Sequence, residues 1–106
     1  MSFTVLFAPE AQDQLDALED FIANVDSAAV AARYVDAIVA YCQSLATFPE
    51  RGLRRDDLMP KLRITNYRKS AVIAFVVDTD AKTVSILGVF YGGQDYEVVL
   101  QDAPGE

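Results

Sequence analysis

The amino-acid sequence predicts an α+β domain of two layers, in which an N-terminal helical hairpin packs on an antiparallel sheet in the order β-α-α-β-β-β. Apolar residues recur at helical spacing in two long segments between residues 9 and 48. Short segments rich in β-branched and aromatic residues precede and follow these two segments. The chain has 106 residues, which is close to the commonest size of one domain. We therefore expect residues 1–106 to form a single domain, with a disordered tail over residues 101–106.

The first strand and the first helix are expected on either side of Pro9. Residues 3–7, with the sequence FTVLF, are apolar and β-branched and predict a short strand. Pro9 suits the first turn of a helix, and Glu10 suits the positive end of the helix dipole. One face of this helix carries apolar residues at alternating spacings of four and three, namely Ala11, Leu15, Leu18, Ile22 and Val25.

The second helix is expected to begin after Asp26 and Ser27, which are good N-cap residues, and to end before Pro49. Its apolar residues form two adjacent stripes. The first stripe is Val30, Tyr34, Ile38, Tyr41, Leu45 and Phe48, and the second is Ala31, Val35, Val39, Cys42 and Ala46. One stripe can pack on the body of the domain, and the other needs the first helix or a partner to cover it. We expect the first helix to cover most of it.

Three strands are expected in the second half of the chain. Residues 62–65, 71–77 and 83–91 are strand-like segments, of which 62–65 is short and 71–77 is apolar throughout. A strand that is apolar throughout is usually central and covered on both faces of its sheet. Residues 78–82 are a turn-rich connection between the last two strands, and residues 49–61 are a polar connection bounded by two prolines.

The composition excludes several kinds of chemistry. The chain has no histidine, so Ser-His and Cys-His nucleophile pairs and most transition-metal sites are excluded. The single cysteine, Cys42, cannot form an internal disulfide. The acidic pairs Asp56–Asp57 and Asp78/Asp80 lack the spacing of a calcium loop, so we expect no metal and no cofactor. No apolar run approaches the ~20 residues of a membrane span, and we expect a cytoplasmic protein without a membrane partner.

Positive charge is concentrated in one short segment of an acidic chain. The net charge is −7, yet seven of the nine basic residues lie between Arg51 and Lys69. Such a segment suits a partner with a confined anionic surface, whereas the net negative charge of the chain disfavours sliding contact with a DNA duplex. A polar loop that only keeps the domain in solution explains the same charges equally well.

Four motifs in the predicted elements resemble the ParE branch of the RelE/ParE toxin superfamily. These are PEAQDQLDALEDFI in the first helix, LATFPERG at the end of the second, the pair Leu62-Arg63, and the closing VFYGGQDYE. Together with the element order, the resemblance extends over residues 3–100, and the FPERG segment of residues 48–52 is its most characteristic part. The resemblance implies a bacterial toxin held by an antitoxin, which wraps a segment that folds on binding across the helix hairpin and the sheet.

The branch of the superfamily decides the expected activity. ParE-like members poison DNA gyrase and block replication, whereas RelE-like members cut messenger RNA on the ribosome. Positions where the superfamily often has arginine or tyrosine carry Val72, Phe75 and Gln94 here, although Tyr96 is present. The absence of arginine and tyrosine from these three positions favours the ParE branch, and so does the acidic net charge. We therefore expect a gyrase poison that is not an enzyme and does not bind nucleic acid sequence-specifically by itself.

The resemblance and the charge pattern together predict two sets of binding residues. For the gyrase target we expect Arg51, Arg54, Arg55, Lys61, Arg63, Arg68, Tyr91 and Tyr96. For a ParD-like antitoxin we expect Leu18, Ile22, Tyr34, Val35 and Ile38. The alternatives are a RelE-like messenger-RNA endonuclease that uses Arg63, Arg68 and Tyr96, or an inactive homologue that only binds an antitoxin.

Overall fold

Two helices pack on one face of a five-stranded sheet in the computed structural model, which describes residues 2–68 and 71–91. The elements in chain order are β1 (Thr4–Phe7), α1 (Pro9–Val25), α2 (Ala28–Gln43), a 3-10 turn (Ser44–Ala46), β2 (Leu53–Arg54), β3 (Leu62–Tyr67), β4 (Ala71–Asp78) and β5 (Thr83–Tyr91). The predicted order of helices and strands is confirmed, with one added strand, β2. The predicted tail at residues 101–106 lies outside the described residues.

The helix hairpin begins and turns where the sequence predicts. Pro9 is the first residue of α1, and the Ser27 hydroxyl accepts a hydrogen bond from the Val30 amide at 3.1 Å as the N-cap of α2. The second helix ends earlier than predicted, because α2 tightens into a 3-10 turn before Pro49. At that point the Ser44 hydroxyl donates a hydrogen bond to the Tyr41 carbonyl and competes with the helical pattern.

The sheet is mixed, with the strand order β1-β5-β4-β3-β2. The pairs β2–β3, β3–β4 and β4–β5 are antiparallel. The pair β1–β5 is parallel and extends from Thr4 beside Thr83 to Phe7 beside Ile86. The expectation of a wholly antiparallel sheet is corrected at this edge. Parallel neighbours need a long crossover, and the helix hairpin and the three intervening strands form that connection between β1 and β5.

Strand β4 is central and covered on both faces, as predicted. On the helix side, Ile73 and Phe75 are buried in one core with residues of α1, α2 and β5. On the other side, Ala74 is buried in a second cluster with Leu62, Ile64 and Phe90, and Leu58 and Met59 of the preceding loop pack against this cluster. Burying each large apolar side chain contributes about 1.5–3 kcal/mol to the free energy of folding.

The buried face of α1 is shorter than its apolar repeat. Ala11, Leu15 and Leu18 are buried and Ile22 is half-buried, whereas Val25 is 67% exposed. The repeat predicted all five on one core face, but the last turn of α1 is not covered by the core. No helix in residues 2–68 and 71–91 has the length and hydropathy to cross a membrane.

Candidate functional site

Aromatic rings from α2 and β3 meet beside the basic segment. The Tyr41 hydroxyl forms a hydrogen bond of 2.9 Å with the Thr65 hydroxyl, and the ring of Tyr41 lies 5.4 Å from that of Tyr67 at an angle of 60°. Thr65 and Tyr67 are two residues apart on β3 and therefore point to the same face of the sheet. The hydrogen bond and the ring contact hold the two tyrosines in one orientation.

Two guanidinium groups extend this aromatic pair into an array. The Cζ atom of Arg51 lies 5.6 Å from the ring centroid of Tyr41 and 5.6 Å from that of Phe48. At the other end, the Cζ atom of Arg68 lies 5.4 Å from the ring centroid of Tyr67. Each such cation–π contact contributes about 0.5–1 kcal/mol at an exposed site. We call these five residues, Tyr41, Phe48, Arg51, Tyr67 and Arg68, the Arg51 array.

Arg63 approaches the Arg51 array through the main chain. Its Nη1 donates a long hydrogen bond of 3.5 Å to the carbonyl oxygen of Arg51. The contact follows from strand pairing, because Arg54 lies beside Arg63 across β2 and β3 and Arg51 comes three residues before Arg54. Of the predicted target-binding residues, the structure therefore brings Arg51 and Arg63 together.

Arg54 and Arg55 each have a carboxylate partner. Arg54 binds Asp56 through two hydrogen bonds of 3.1 and 2.9 Å, and Arg55 binds Asp57 through two of 2.9 and 2.8 Å. Hydrogen bonds from the two arginines hold the pKa of each aspartate below its usual value. The Asp56 carboxylate also accepts the Lys61 amide at 2.7 Å, so the pair closes the loop before β3.

Two cavities open beside these residues. The larger, of about 490 Å³, is lined by Phe3, Thr47, Phe48, Pro49, Glu50 and Arg51. The smaller, of about 170 Å³, is lined by Glu50, Arg54, Lys61, Arg63, Val77 and Thr79. The predicted target-binding residues are thus divided: Arg54, Lys61 and Arg63 line the smaller cavity, whereas Arg51 lines the larger.

The two arginines of the alternative nuclease site lie at opposite ends of β3 along the backbone. Arg63 lies in β3 and Arg68 follows its end, roughly 16 Å along the strand at about 3.3 Å per residue. Tyr96, the third residue of that set, and Gln94 lie outside the described residues. Tyr91 ends β5 in a half-buried position, in the same row of the sheet as Ala71 and Tyr67, and packs against the helix-side core.

Three of the five predicted antitoxin-binding residues are in the core. Leu18, Val35 and Ile38 are buried against the sheet, whereas Ile22 and Tyr34 are half-buried at its margin. The sequence showed two apolar stripes on α2, and the core is formed by residues of both. These are Ala31, Val35, Ile38, Cys42 and Leu45. The three buried residues therefore lie below the hairpin surface and do not form it.

Sequence reasoning missed the large apolar side chains that are exposed. Phe21 and Val25 in the last turns of α1 are 56% and 67% exposed, and Phe48 is 61% exposed after α2. Phe21 and Val25 are four residues apart, a helical spacing that places them on one side of α1. That spacing was visible in the sequence, but Val25 also fitted the repeat of the core face.

Comparison with known proteins gives a family match and two similar folds. The family described as "ParE toxin of type II toxin-antitoxin system, parDE" has a sequence profile that matches residues 5–96. A solved structure from the chromosomal ParDE system of P. aeruginosa has a TM-score of 0.72 at 21% identity, covering 85% of this chain and 96% of that chain. A chain of the RelBE2 toxin–antitoxin complex of Mycobacterium tuberculosis has a TM-score of 0.64 at 22% identity, covering 87% and 100%. No curated protein sequence matches significantly.

Proposed function

Because the chain belongs to the ParE toxin family, and so is the toxin of a type II toxin–antitoxin system, we propose that it inhibits DNA gyrase. The family match over residues 5–96 is the observation that carries this proposal. On this view the protein catalyses no reaction itself. It binds gyrase and turns that enzyme into a source of DNA breaks.

The central strand supports a binding function over RNA cleavage. Phe75 and Val72 occupy β4 positions where the superfamily often has a tyrosine and an arginine. Phe75 is fully buried in the helix-side core, and Val72 packs half-buried against the second cluster. Neither side chain can stabilise a developing negative charge or move a proton.

The proposed gyrase-binding surface is formed by basic residues of the two cavities and by Arg68 after β3. Arg51, Lys61, Arg63 and Arg68 have no carboxylate within 4.0 Å in the described part of the chain. We propose that these four residues bind gyrase together with Tyr91 and Tyr96. Arg54 and Arg55 contribute by holding the loop in shape, because Asp56 and Asp57 offset their charges.

A ParD-like antitoxin is the proposed second partner. The two similar structures come from a ParDE system and a RelBE2 toxin–antitoxin complex, which supports a partner of this kind. The exposed Phe21 and Val25, with the half-buried Ile22 and Tyr34, form the apolar surface that it would cover. Leu18, Val35 and Ile38 support this surface from the core.

The proposal is tested with purified gyrase, ATP, relaxed plasmid and this protein freed of antitoxin. We expect linear DNA to accumulate or supercoiling to be lost, and addition of the antitoxin to restore supercoiling. A second type II topoisomerase in the same assay shows whether the effect is specific to gyrase. Full supercoiling in the presence of folded toxin would contradict the proposal.

The two alternatives give different readouts in cells. A RelE-like nuclease would produce cleaved messenger RNA within minutes of induction, before any DNA damage response. An inactive homologue would bind its antitoxin without arresting growth. Measuring RNA cleavage, DNA damage and growth in one induction series therefore separates the three functions.

A further inference from the structure

We propose that the Arg51 array and the larger cavity bind a short acidic peptide segment of a partner protein, which inserts one bulky apolar side chain between flanking carboxylates. The inference rests on the proposed function only in that the toxin acts by binding another protein. It does not depend on which enzyme is inhibited.

The first observation is that the Arg51 guanidinium forms no ion pair within the described residues. Arg51 has no carboxylate within 4.0 Å among residues 2–68 and 71–91, in contrast to the neighbouring Arg54 and Arg55. Glu50 lines the same cavity but forms no ion pair with Arg51. In a chain of net charge −7, an arginine left without an acid favours an acid from outside.

The second observation is that this guanidinium is held in place. The rings of Tyr41 and Phe48 both lie 5.6 Å from its Cζ atom. A guanidinium stacked on rings keeps the N–H groups at its edge free to donate to a carboxylate in a bidentate pair. Because the side chain is already ordered, less entropy is lost when a ligand binds.

The third observation is an apolar cavity next to the cation. Phe48 is 61% exposed, and with Phe3 and Pro49 it lines the cavity of about 490 Å³. Pockets of roughly 300–1,000 Å³ hold small ligands, so one large side chain of a partner is easily accommodated. The Nζ atom of Lys82 lies 5.8 Å from the ring centroid of Phe3.

The positions of the cations define the chemistry of the ligand. Arg51 lies against Phe48 and Lys82 lies against Phe3, so a cation lies beside each of the two phenylalanine rings that line the cavity. An aromatic residue with acidic residues on both sides matches this arrangement. A long nucleic acid matches it less well, because a polyanion needs many cations and the net charge of −7 repels it.

The test is direct binding of a defined peptide, measured by fluorescence anisotropy with the full chain. The probe is a fluorescein-labelled peptide of sequence GSDEFDESG. We expect saturable binding, weakened about tenfold by Arg51→Ala or Phe48→Ala, the size expected when a central arginine or aromatic anchor is truncated. Circular dichroism melts of each variant confirm that it is folded before binding is compared.

Matched controls come from elsewhere on the surface. Arg33→Ala removes an exposed arginine from α2, and Leu6→Ala removes an exposed large apolar side chain from β1. Both should bind the peptide within about twofold of wild type, since surface changes away from the contact are nearly neutral. A peptide with asparagine and glutamine in place of its acids, and one with alanine in place of its phenylalanine, should each bind at least tenfold more weakly.

Several outcomes would overturn the proposal. These are no binding up to roughly 1 mM peptide, equal binding by the Arg51→Ala and Arg33→Ala variants, or tighter binding of a single-stranded dT12 oligonucleotide than of the peptide. The peptide assay contains no gyrase. A negative gyrase assay with intact peptide binding therefore refutes only the proposed target, and the reverse result refutes only this inference.

Discussion

The hydroxyl groups of Tyr41 and Thr65 lie 2.9 Å apart and join α2 to β3 by a side-chain hydrogen bond. Thr65 is only 8% exposed, so its hydroxyl has little access to water. The same tyrosine ring contacts Tyr67 and Arg51. This one side chain therefore links the helix layer, the sheet and the candidate binding surface.

Tyr41→Phe should destabilise the protein by about 1–2 kcal/mol, because it leaves the buried Thr65 hydroxyl without this partner while keeping the ring. Urea denaturation followed by circular dichroism gives the free energy of unfolding. The double variant Tyr41→Phe/Thr65→Val should lose less than the sum of the single changes, since both polar groups are removed together. Strictly additive losses would show that the bond contributes nothing.

Gly52→Ala should destabilise the protein by about 2 kcal/mol or more. Gly52 has φ +85°, and a Cβ atom there would lie 2.3 Å from the carbonyl oxygen of Ile64. Gly52→Asn tests the cause, because asparagine tolerates positive φ but still carries a Cβ atom. We expect both variants to be equally unstable by thermal melting. Full stability of the asparagine variant would assign the effect to φ alone.

Gln14→Ala should destabilise the protein by about 1–3 kcal/mol. The Gln14 side-chain oxygen accepts a hydrogen bond of 2.6 Å from the Val89 amide, just beyond the end of the pairing between β1 and β5. The control is Gln12→Ala, which removes a hydrogen bond of 3.0 Å to the Phe7 carbonyl at an exposed site. The Gln14 hydrogen bond is partly buried, whereas the Gln12 hydrogen bond is exposed. If the Gln12 variant loses as much stability as the Gln14 variant, the burial of the Gln14 hydrogen bond is not the cause of the loss.

Cys42 should react with iodoacetamide only when the protein unfolds. Burial raises the pKa of the thiol from 9.0 to about 12. The raised pKa means that the unfolded thiol ionises first as the pH rises. The folded state, which keeps the thiol protonated, therefore has its full stability relative to the unfolded state below about pH 9 and loses it progressively toward pH 12. Between pH 8 and 10 the urea midpoint of the wild type should fall as the pH rises, and that of Cys42→Ser should not fall for this reason. If the two midpoints change equally with pH, the Cys42 thiol is not the group responsible.

Arg54→Glu combined with Arg55→Glu should abolish growth arrest without unfolding the core. The change replaces two ion pairs by four adjacent acids and disrupts the loop before β3. Arg54→Lys keeps a cation beside Asp56 and leaves the bond from the Lys61 amide to the Asp56 carboxylate in place. We expect this variant to arrest growth like the wild type, because Arg54 acts through the loop. Failure of this variant in a folded protein would instead make the Arg54 guanidinium a direct target contact.

Local sequence signals were sufficient for the helix hairpin. Pro9 and the N-cap Ser27 mark helix starts through their own side chains, and helical spacing depends only on near neighbours. The continuous apolar run of residues 71–77 likewise indicated a central strand, which β4 is. Such signals do not specify partners, so the parallel pairing of β1 and the two-residue strand β2 were not foreseen.

The candidate site depended far more on the tertiary structure. The sequence located the basic segment, but Arg54 and Arg55 turned out to be held by Asp56 and Asp57, whereas Arg51 stacks on Tyr41 and Phe48. Charge counting cannot separate these cases, because the outcome depends on which side chains the loop brings within a few ångströms.

By itself, then, the sequence determined the class of fold, the hairpin, the central strand and the family resemblance, since each is encoded in residue order and spacing. Only the tertiary structure decided which apolar stripe residues form the core and which arginines have an acid within 4.0 Å among residues 2–68 and 71–91. Leu18 and Val25 illustrate the difference: they belong to the same helical repeat, yet one is buried and the other exposed. The physical reason is that burial and ion pairing are set by contacts between distant segments, which no local pattern contains.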